Sequence, residues 1–231
     1  MLEWGESFCN SQPMARFPGR DQRGPVDLGP VFGLLEIMAT LRFLCPFWAL
    51  LCAGFPFCPA PAGADEPLIL LGTDGAEHRP LEPKGKKAVV LFFVSPYCPT
   101  ATTFMPELNA IAADHAETAA FYFVHSDGDQ VPADILQHAE LMQVKVPVLF
   151  DKAQILAQRV GAKITPEAVV LGTGGRVLYQ GRVNDLYLGP TKRQRAVTKH
   201  DLREALKAIA SGREVDAVQP PAVGCKIAGL K

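Results

Sequence analysis

Apolar and polar positions alternate in blocks along the second half of the chain, and the blocks change period in a regular way. Ala88 to Val94 (AVVLFFV) is an unbroken apolar run without charge, the pattern of a strand buried on both faces. Ser95, Pro96 and Tyr97 turn the chain, and Pro99 suits a first helical position. Phe104, Leu108 and Ile111 follow at spacings of four and three, so a helix is predicted from about Pro99 to His115. Cys98 stands at its mouth. Unpaired N–H groups and partial positive charge at a helix start favour thiolate over thiol, and the loop position predicts an exposed sulfur.

The same reading continues on both sides. Pro67 to Leu71 predicts an edge strand, with a turn at Thr73-Asp74-Gly75. Ala119 to His125 (AAFYFVH) is a second strand, Pro132 to Gln143 a helix with Ile135, Ala139 and Met142 on one face, and Val146 to Phe150 a short strand. Gln154 to Val160 predicts a helix closed by Gly161. Ile164-Thr165-Pro166-Glu167 then leads into an apolar strand to Leu171, a turn at Gly172 to Gly175, and an antiparallel strand from Arg176 to Gln180. Gly181 to Lys192 reads as a loop. Thr198 to Ser211 reads as a helix capped by Thr198, lined by Leu202, Leu206 and Ile209 and ended by Gly212. Residues 213–231 form a tail ending in GCKIAGLK. The order β–β–α–β–α–β–α–β–β–α gives an α/β fold with a central mixed β-sheet flanked by helices.

Before this region the pattern differs. Residues 38–64 contain Arg42, an almost wholly apolar stretch from Phe43 to Phe57, and Ala62-Gly63-Ala64 before Asp65, the arrangement of a secretory signal peptide. The apolar run is short and broken by proline, which argues against a membrane span. Leu50 and Leu51 before Cys52 do not fit a lipidation site. Residues 1–37 are turn-rich and without period. They read as a mis-assigned start, with Met38 the initiator, or as a disordered extension; a buried N-terminal hydrophobic helix in an intracellular protein is the other reading of the apolar stretch. The expected organisation is thus 1–37 extension, 38–64 leader, 65–212 folded domain and 213–231 tail, with a periplasmic or secreted location.

Composition adds exclusions. The net charge is −1 over 231 residues. Residues 1–64 carry four arginines and five acidic residues, so the chain from Asp65 onward is formally neutral and nucleic acid is not an expected partner. The glycines at Gly172 to Gly175 precede a strand, which fails the context test for a dinucleotide site. Histidines 115, 125 and 138 are scattered, and Lys192 to Lys199 reads as a solvated face; no metal or cofactor is expected. Of the six cysteines, only Cys98 and Cys225 follow residue 64, and no pair has CxxC spacing. In an exported domain two cysteines form either a structural disulfide or an exchange pair. A permanent bond closing so long a loop would contribute about 2–4 kcal/mol and consume Cys98 as a nucleophile.

FFVSPYCP, Thr165-Pro166 and VVLGTGGRVLYQG, in that order, resemble the thioredoxin-like superfamily, and within it the redoxin branch with the peroxiredoxins (alkyl hydroperoxide reductase/thiol-specific antioxidant proteins) and exported thioredoxins. The resemblance spans about Leu68 to Gly212 and implies a thioredoxin-like fold. It implies a cis Pro166 facing Cys98, with Thr165 presenting its backbone to a bound thiol substrate. Cys98 would be the nucleophile, Cys225 the resolving thiol, Ser95 a hydrogen-bond donor to the sulfur or a plain turn residue, and Tyr97 and Pro99 parts of the substrate rim. The second cysteine of a thioredoxin is replaced by Ala101. The peroxiredoxin proline falls on Leu91, while its hydroxyl position is kept as Ser95. Thiol–disulfide exchange with a protein dithiol or disulfide is the leading activity. Reduction of small hydroperoxides and a copper- or haem-pathway binding role, with the cysteines as soft ligands, are the alternatives. A monomer or homodimer is expected, without stable membrane insertion once the leader is removed.

Overall fold

The structure, a computed structural model, describes residues 67–230. The chain divides into two units, Met1–Ala60 and Pro61–Lys231, and every described residue belongs to the second. The extension at 1–37 and the leader at 38–64 lie outside the described residues.

A small hairpin opens the fold, β1 (Leu70–Leu71) against β2 (Glu77–His78). Then come β3 (Ala88–Phe93), α1 (Pro99–Asp114), β4 (Ala119–His125), α2 (Pro132–Leu141), β5 (Val148–Phe150) and α3 (Ile155–Val160). The second half holds β6 (Ile164–Thr165), β7 (Glu167–Leu171), β8 (Val177–Gly181), β9 (Tyr187–Gly189), β10 (Lys192–Arg193), α4 (Asp201–Ala210) and β11 (Cys225–Lys226). Five strands form the main sheet in the order β5-β4-β3-β7-β8. β5, β4 and β3 run parallel through helical crossovers, while β7 and β8 are antiparallel.

The sheet takes this form because β3 has no polar face. Ala88, Val90 and Phe92 point into one apolar layer with Phe104, Leu108 and Ile111 of α1, Ile135 of α2, and Leu202 and Leu206 of α4. Val89, Leu91 and Phe93 point into the opposite layer with Leu156, Ala157 and Val160 of α3. No β3 side chain is more than 1% exposed. The bidentate contact of Arg182 with Asp201, at 2.7 and 3.2 Å, ties the end of β8 to the start of α4.

Two local expectations are corrected. The stretch Gly181 to Lys192 is not simply a loop: it contributes β9 and the first residue of β10, paired antiparallel. Strands of two or three residues with mostly exposed side chains leave no alternation to read. Thr198 does not cap α4, which begins at Asp201 with His200 at the N-cap. The Thr198 N–H and hydroxyl instead donate to the buried carboxylate of Asp185.

The tail does not trail away. β11 pairs antiparallel with β6, and Ile227, 4% exposed, joins the second apolar layer together with Leu230.

Leu108→Ala, which empties a fully buried site between α1 and the sheet, is expected to cost about 2–5 kcal/mol in urea unfolding. His125 is buried at the end of β4, and burial, followed by the nearby His138, pushes its pKa down to about 3. A base with a depressed folded pKa binds its proton first in the unfolded state. Stability is therefore expected to fall as pH drops from about 6.5 to 3, by up to about 1.4 kcal/mol per unit, and the His125→Gln variant should lose that part of the slope.

Candidate active site

β3 delivers the chain to the site. Val94 still pairs with β4 through its N–H to the Val124 carbonyl at 3.0 Å; the backbone then turns. Ser95 closes the turn twice: its hydroxyl accepts from the Tyr97 N–H and its carbonyl from the Cys98 N–H, both at 3.2 Å. Cys98 is the N-cap of α1, in extended conformation, with Pro99 following at the first helical position. Its sulfur takes the place of a capping oxygen and accepts from the Ala101 N–H at 3.5 Å. The positive end of a sixteen-residue helix thus points at the sulfur.

The loop before β7 forms the second wall. The Thr165–Pro166 peptide is cis, and the Thr165 carbonyl oxygen lies 3.0 Å from the Cys98 sulfur, accepting from the thiol. Glu167, itself buried, fixes this loop by accepting from the N–H groups of Lys163 and Ile164 at 2.7 and 3.2 Å.

The tail forms the third wall. Cys225 stands opposite Thr165 in the β11–β6 register, and the Thr165 hydroxyl donates to the Cys225 carbonyl at 3.5 Å. Both cysteines are free thiols, and Cys225 is close enough to influence the ionisation of Cys98. Beyond β11, Ile227 N–H donates to the Lys163 carbonyl at 3.0 Å. Ala228 is held by three bonds: its N–H to Asp127 at 2.7 Å, and its carbonyl from the Gly128 N–H at 3.0 Å and the Gln154 amide at 2.7 Å.

The expected exposed thiol is corrected by this arrangement. Cys98 is 1% exposed, because the strand carrying Cys225 lies against the Thr165 loop beside it. It is nevertheless not sealed in hydrocarbon, since a second sulfur, a carbonyl and an amide face it. Burial works to raise the Cys98 pKa. Interactions with the Cys225 thiol, the Ala101 N–H, the Thr165 side chain and the Cys225 backbone outweigh it, so this thiol ionises below its ordinary value. Cys225 moves the other way, pushed up to about 12 by burial, by its hydrogen bond with Cys98 and by the charge there.

The structure therefore brings Cys98, Cys225, Thr165 and Pro166 together. Ser95 lies buried beneath the turn with its hydroxyl engaged by Tyr97. Tyr97, 52% exposed, donates its phenol O–H to the Asp134 carboxylate on α2. Pro99 is exposed on the outer side of the helix start. Asp127, Gln154 and Glu167, which hold the loops around the thiols, escape sequence reading. Their partners lie 101, 74 and 4 residues away, and only the Glu167 contact is local enough to leave a signal. Among the described residues no group of three or more His, Cys, Asp or Glu side chains converges as a metal cage. Nor is any described helix long and apolar enough to cross a membrane.

With the Cys98 pKa lowered and the Cys225 pKa raised, Cys98 is expected to lose its proton first. Alkylation of Cys98 followed by mass spectrometry is expected to show a midpoint below the ordinary thiol range. The midpoint should rise in Cys225→Ala, which removes the S–H donor to the thiolate.

Comparison with known proteins bears on the fold and the family. An uncharacterized conserved protein from Geobacillus kaustophilus is 26% identical, with a TM-score of 0.64 over 71% of this chain and 89% of that one. A hypothetical protein from Sinorhizobium meliloti 1021 is also 26% identical, with a TM-score of 0.61 over 69% and 89%. A secreted disulfide oxidoreductase of Mycobacterium tuberculosis matches at 17% identity and a TM-score of 0.47, over 62% and 96%. The comparison with curated proteins finds no match. The Redoxin family model matches residues 58–194, more than half of the chain and the whole stretch from β1 to β10, and the protein is accordingly a member of the redoxin family with a thioredoxin-like fold.

Proposed function

We propose that the protein is an exported thiol–disulfide oxidoreductase in which Cys98 attacks and Cys225 resolves. The observation that carries this reading is a free Cys98 thiol capping the start of α1 and facing the carbonyl of Thr165, with the free Cys225 opposite that same residue in the β11–β6 register; the Cys98 pKa is lowered and the Cys225 pKa raised. One thiol is thereby prepared to attack as thiolate, and the other is held protonated until a base or leaving group takes its proton.

In the reducing direction the Cys98 thiolate attacks one sulfur of a partner disulfide. The partner's S–S bond breaks, a Cys98–partner mixed disulfide forms, and the leaving partner thiolate is available to take the Cys225 proton. The Cys225 thiolate then attacks the Cys98 sulfur and expels the second partner thiol. The partner gains two electrons, and the protein is left with a Cys98–Cys225 disulfide. A protein dithiol returns the electrons by the reverse exchange. Helix α1 stabilises negative sulfur at the attacking position, and the edge of β6 holds the resolving strand in register.

Export is supported by the leader pattern at 38–64 and by the two cysteines that remain beyond it. The peroxidase pattern is incomplete, with Leu91 where that activity's proline belongs.

Thiol mapping by mass spectrometry, with and without mild reductant, tests the reading. A Cys98–Cys225 bond that opens readily is expected. Cys98→Ser should abolish disulfide reduction, and Cys225→Ser should stall after a single turnover with the partner trapped on Cys98. A bond inert to reductant would make the pair structural. A Cys98 sulfenate formed with peroxide in a protein unable to exchange disulfides would make the protein a peroxidase instead.

A further inference from the structure

Residues 192–199 carry Lys192, Arg193, Arg195 and Lys199 and no acidic side chain, in a chain that is formally neutral from Asp65 onward. The rest of that stretch therefore carries −4, so positive charge is gathered in one place rather than mixed. All four cations are exposed, and among the described residues none of them is in an ion pair. The segment is also held in shape. The buried Asp185 carboxylate accepts from the Thr198 N–H and hydroxyl, and the Asp185 N–H donates to the Lys199 carbonyl at 3.2 Å. The Asp185 carbonyl accepts from the Gln194 side chain at 2.6 Å, and the Gln194 N–H donates to the Leu186 carbonyl at 2.8 Å. Pinned at its middle and its end, the segment has little backbone freedom left to lose when something docks on it.

This basic segment borders the thiol site. Arg193 stands opposite Tyr187 in the β9–β10 register, and the Tyr187 ring lies 5.9 Å from the ring of Phe104 on α1. Phe104, Tyr187, Pro166 and Val223 of the tail line one narrow cleft. Phe104 comes six residues after Cys98, about 9 Å along the helix axis. That is close to the Debye length of about 8 Å at physiological salt, so the field of the segment reaches a molecule docking at the sulfur and is weakened by added salt.

Resting on the exchange reading above, we infer that residues 192–199 are an electrostatic docking surface for a protein partner whose reactive disulfide is flanked by acidic side chains. The cations speed and stabilise the encounter and take no part in the sulfur chemistry. A lipid surface is the poorer fit, because Leu188 is the one large apolar side chain exposed on residues 187–199 and Tyr187 is engaged with Phe104. Nucleic acid is poorer still, since no aromatic residue interleaves with the cations.

The test uses the full reduced chain and three short peptides, alike except that glutamate, serine or lysine flanks a central cysteine joined to 2-thiopyridine as a mixed disulfide. Attack by the Cys98 thiolate on the peptide sulfur breaks that bond, releases the thiopyridine, which takes up a proton, and leaves the peptide on Cys98. Cys225 then frees the peptide as a thiol and closes the internal disulfide. Rates are taken relative to an uncharged hydroxyalkyl disulfide reduced by the same protein. At low salt the glutamate peptide is expected to react about tenfold faster than the serine peptide, and the lysine peptide more slowly than either, with the differences collapsing in about 0.5 M salt. The Arg193→Glu/Arg195→Glu variant is expected to lose the preference. Equal rates for the three peptides at low salt, with the reference disulfide reduced normally, would overturn the docking surface and leave the exchange chemistry intact. So would a glutamate preference that survives the double variant. Phosphatidylglycerol vesicles that bind the native chain and not the variant, without any peptide preference, would assign the segment to a lipid surface instead. If neither the peptides nor the reference disulfide reacts, the exchange reading fails and the docking surface with it.

Discussion

Strand β3 must be covered on both faces, and the position of the thiol pair follows from that requirement. Its alternate side chains enter two separate apolar layers, so helices have to lie on each side of the sheet. Its two neighbours are β4 and β7, and its last residue, Phe93, pairs with the first residue of β7, Glu167. Residues just after β3 therefore meet residues just before β7. That register brings Cys98 against the Thr165 carbonyl across 67 positions of sequence. Glu167 completes the constraint by gripping the backbone of Lys163 and Ile164, which fixes the approach to β6.

The chemistry of the site is then one of dipoles more than of charges. The Cys98 sulfur sits at a helix start, beside an amide N–H and a second thiol, under a strand that excludes water. Burial alone would hold both sulfurs protonated. The hydrogen bonds are distributed unequally, and that inequality separates the roles of two otherwise identical groups. The carbonyl of Thr165 accepts from the neutral Cys98 thiol and would repel its anion. The Cys98 pKa is lowered and the Cys225 pKa raised, so the two thiols ionise unequally.

Local pattern carried much of the fold and less of the site. The runs AVVLFF and AAFYFVH declared β3 and β4 because a doubly buried strand tolerates no charge. The spacing of Leu202, Leu206 and Ile209 declared α4 for the corresponding reason. The position of Cys98 at a helix start was legible from Pro99 and the period behind it. Its burial was not, because the covering strand lies over a hundred residues away, in a tail whose own sequence has no strand period. β9 and β10 were too short to declare themselves, and Thr198 was claimed by a carboxylate that sequence spacing does not reveal.

The return of the tail to the sheet bears on where this domain stops. Helix α4 ends beside Gly212, and a boundary drawn there would look natural from helix and strand limits alone. It would remove Ile227 from the second apolar layer and the strand that shields Cys98. A shortened chain of that kind would present a hydrophobic notch and an uncovered Cys98 thiol side by side. Two such chains would have good reason to adhere and to crosslink, so the smallest faithful unit runs through Leu230.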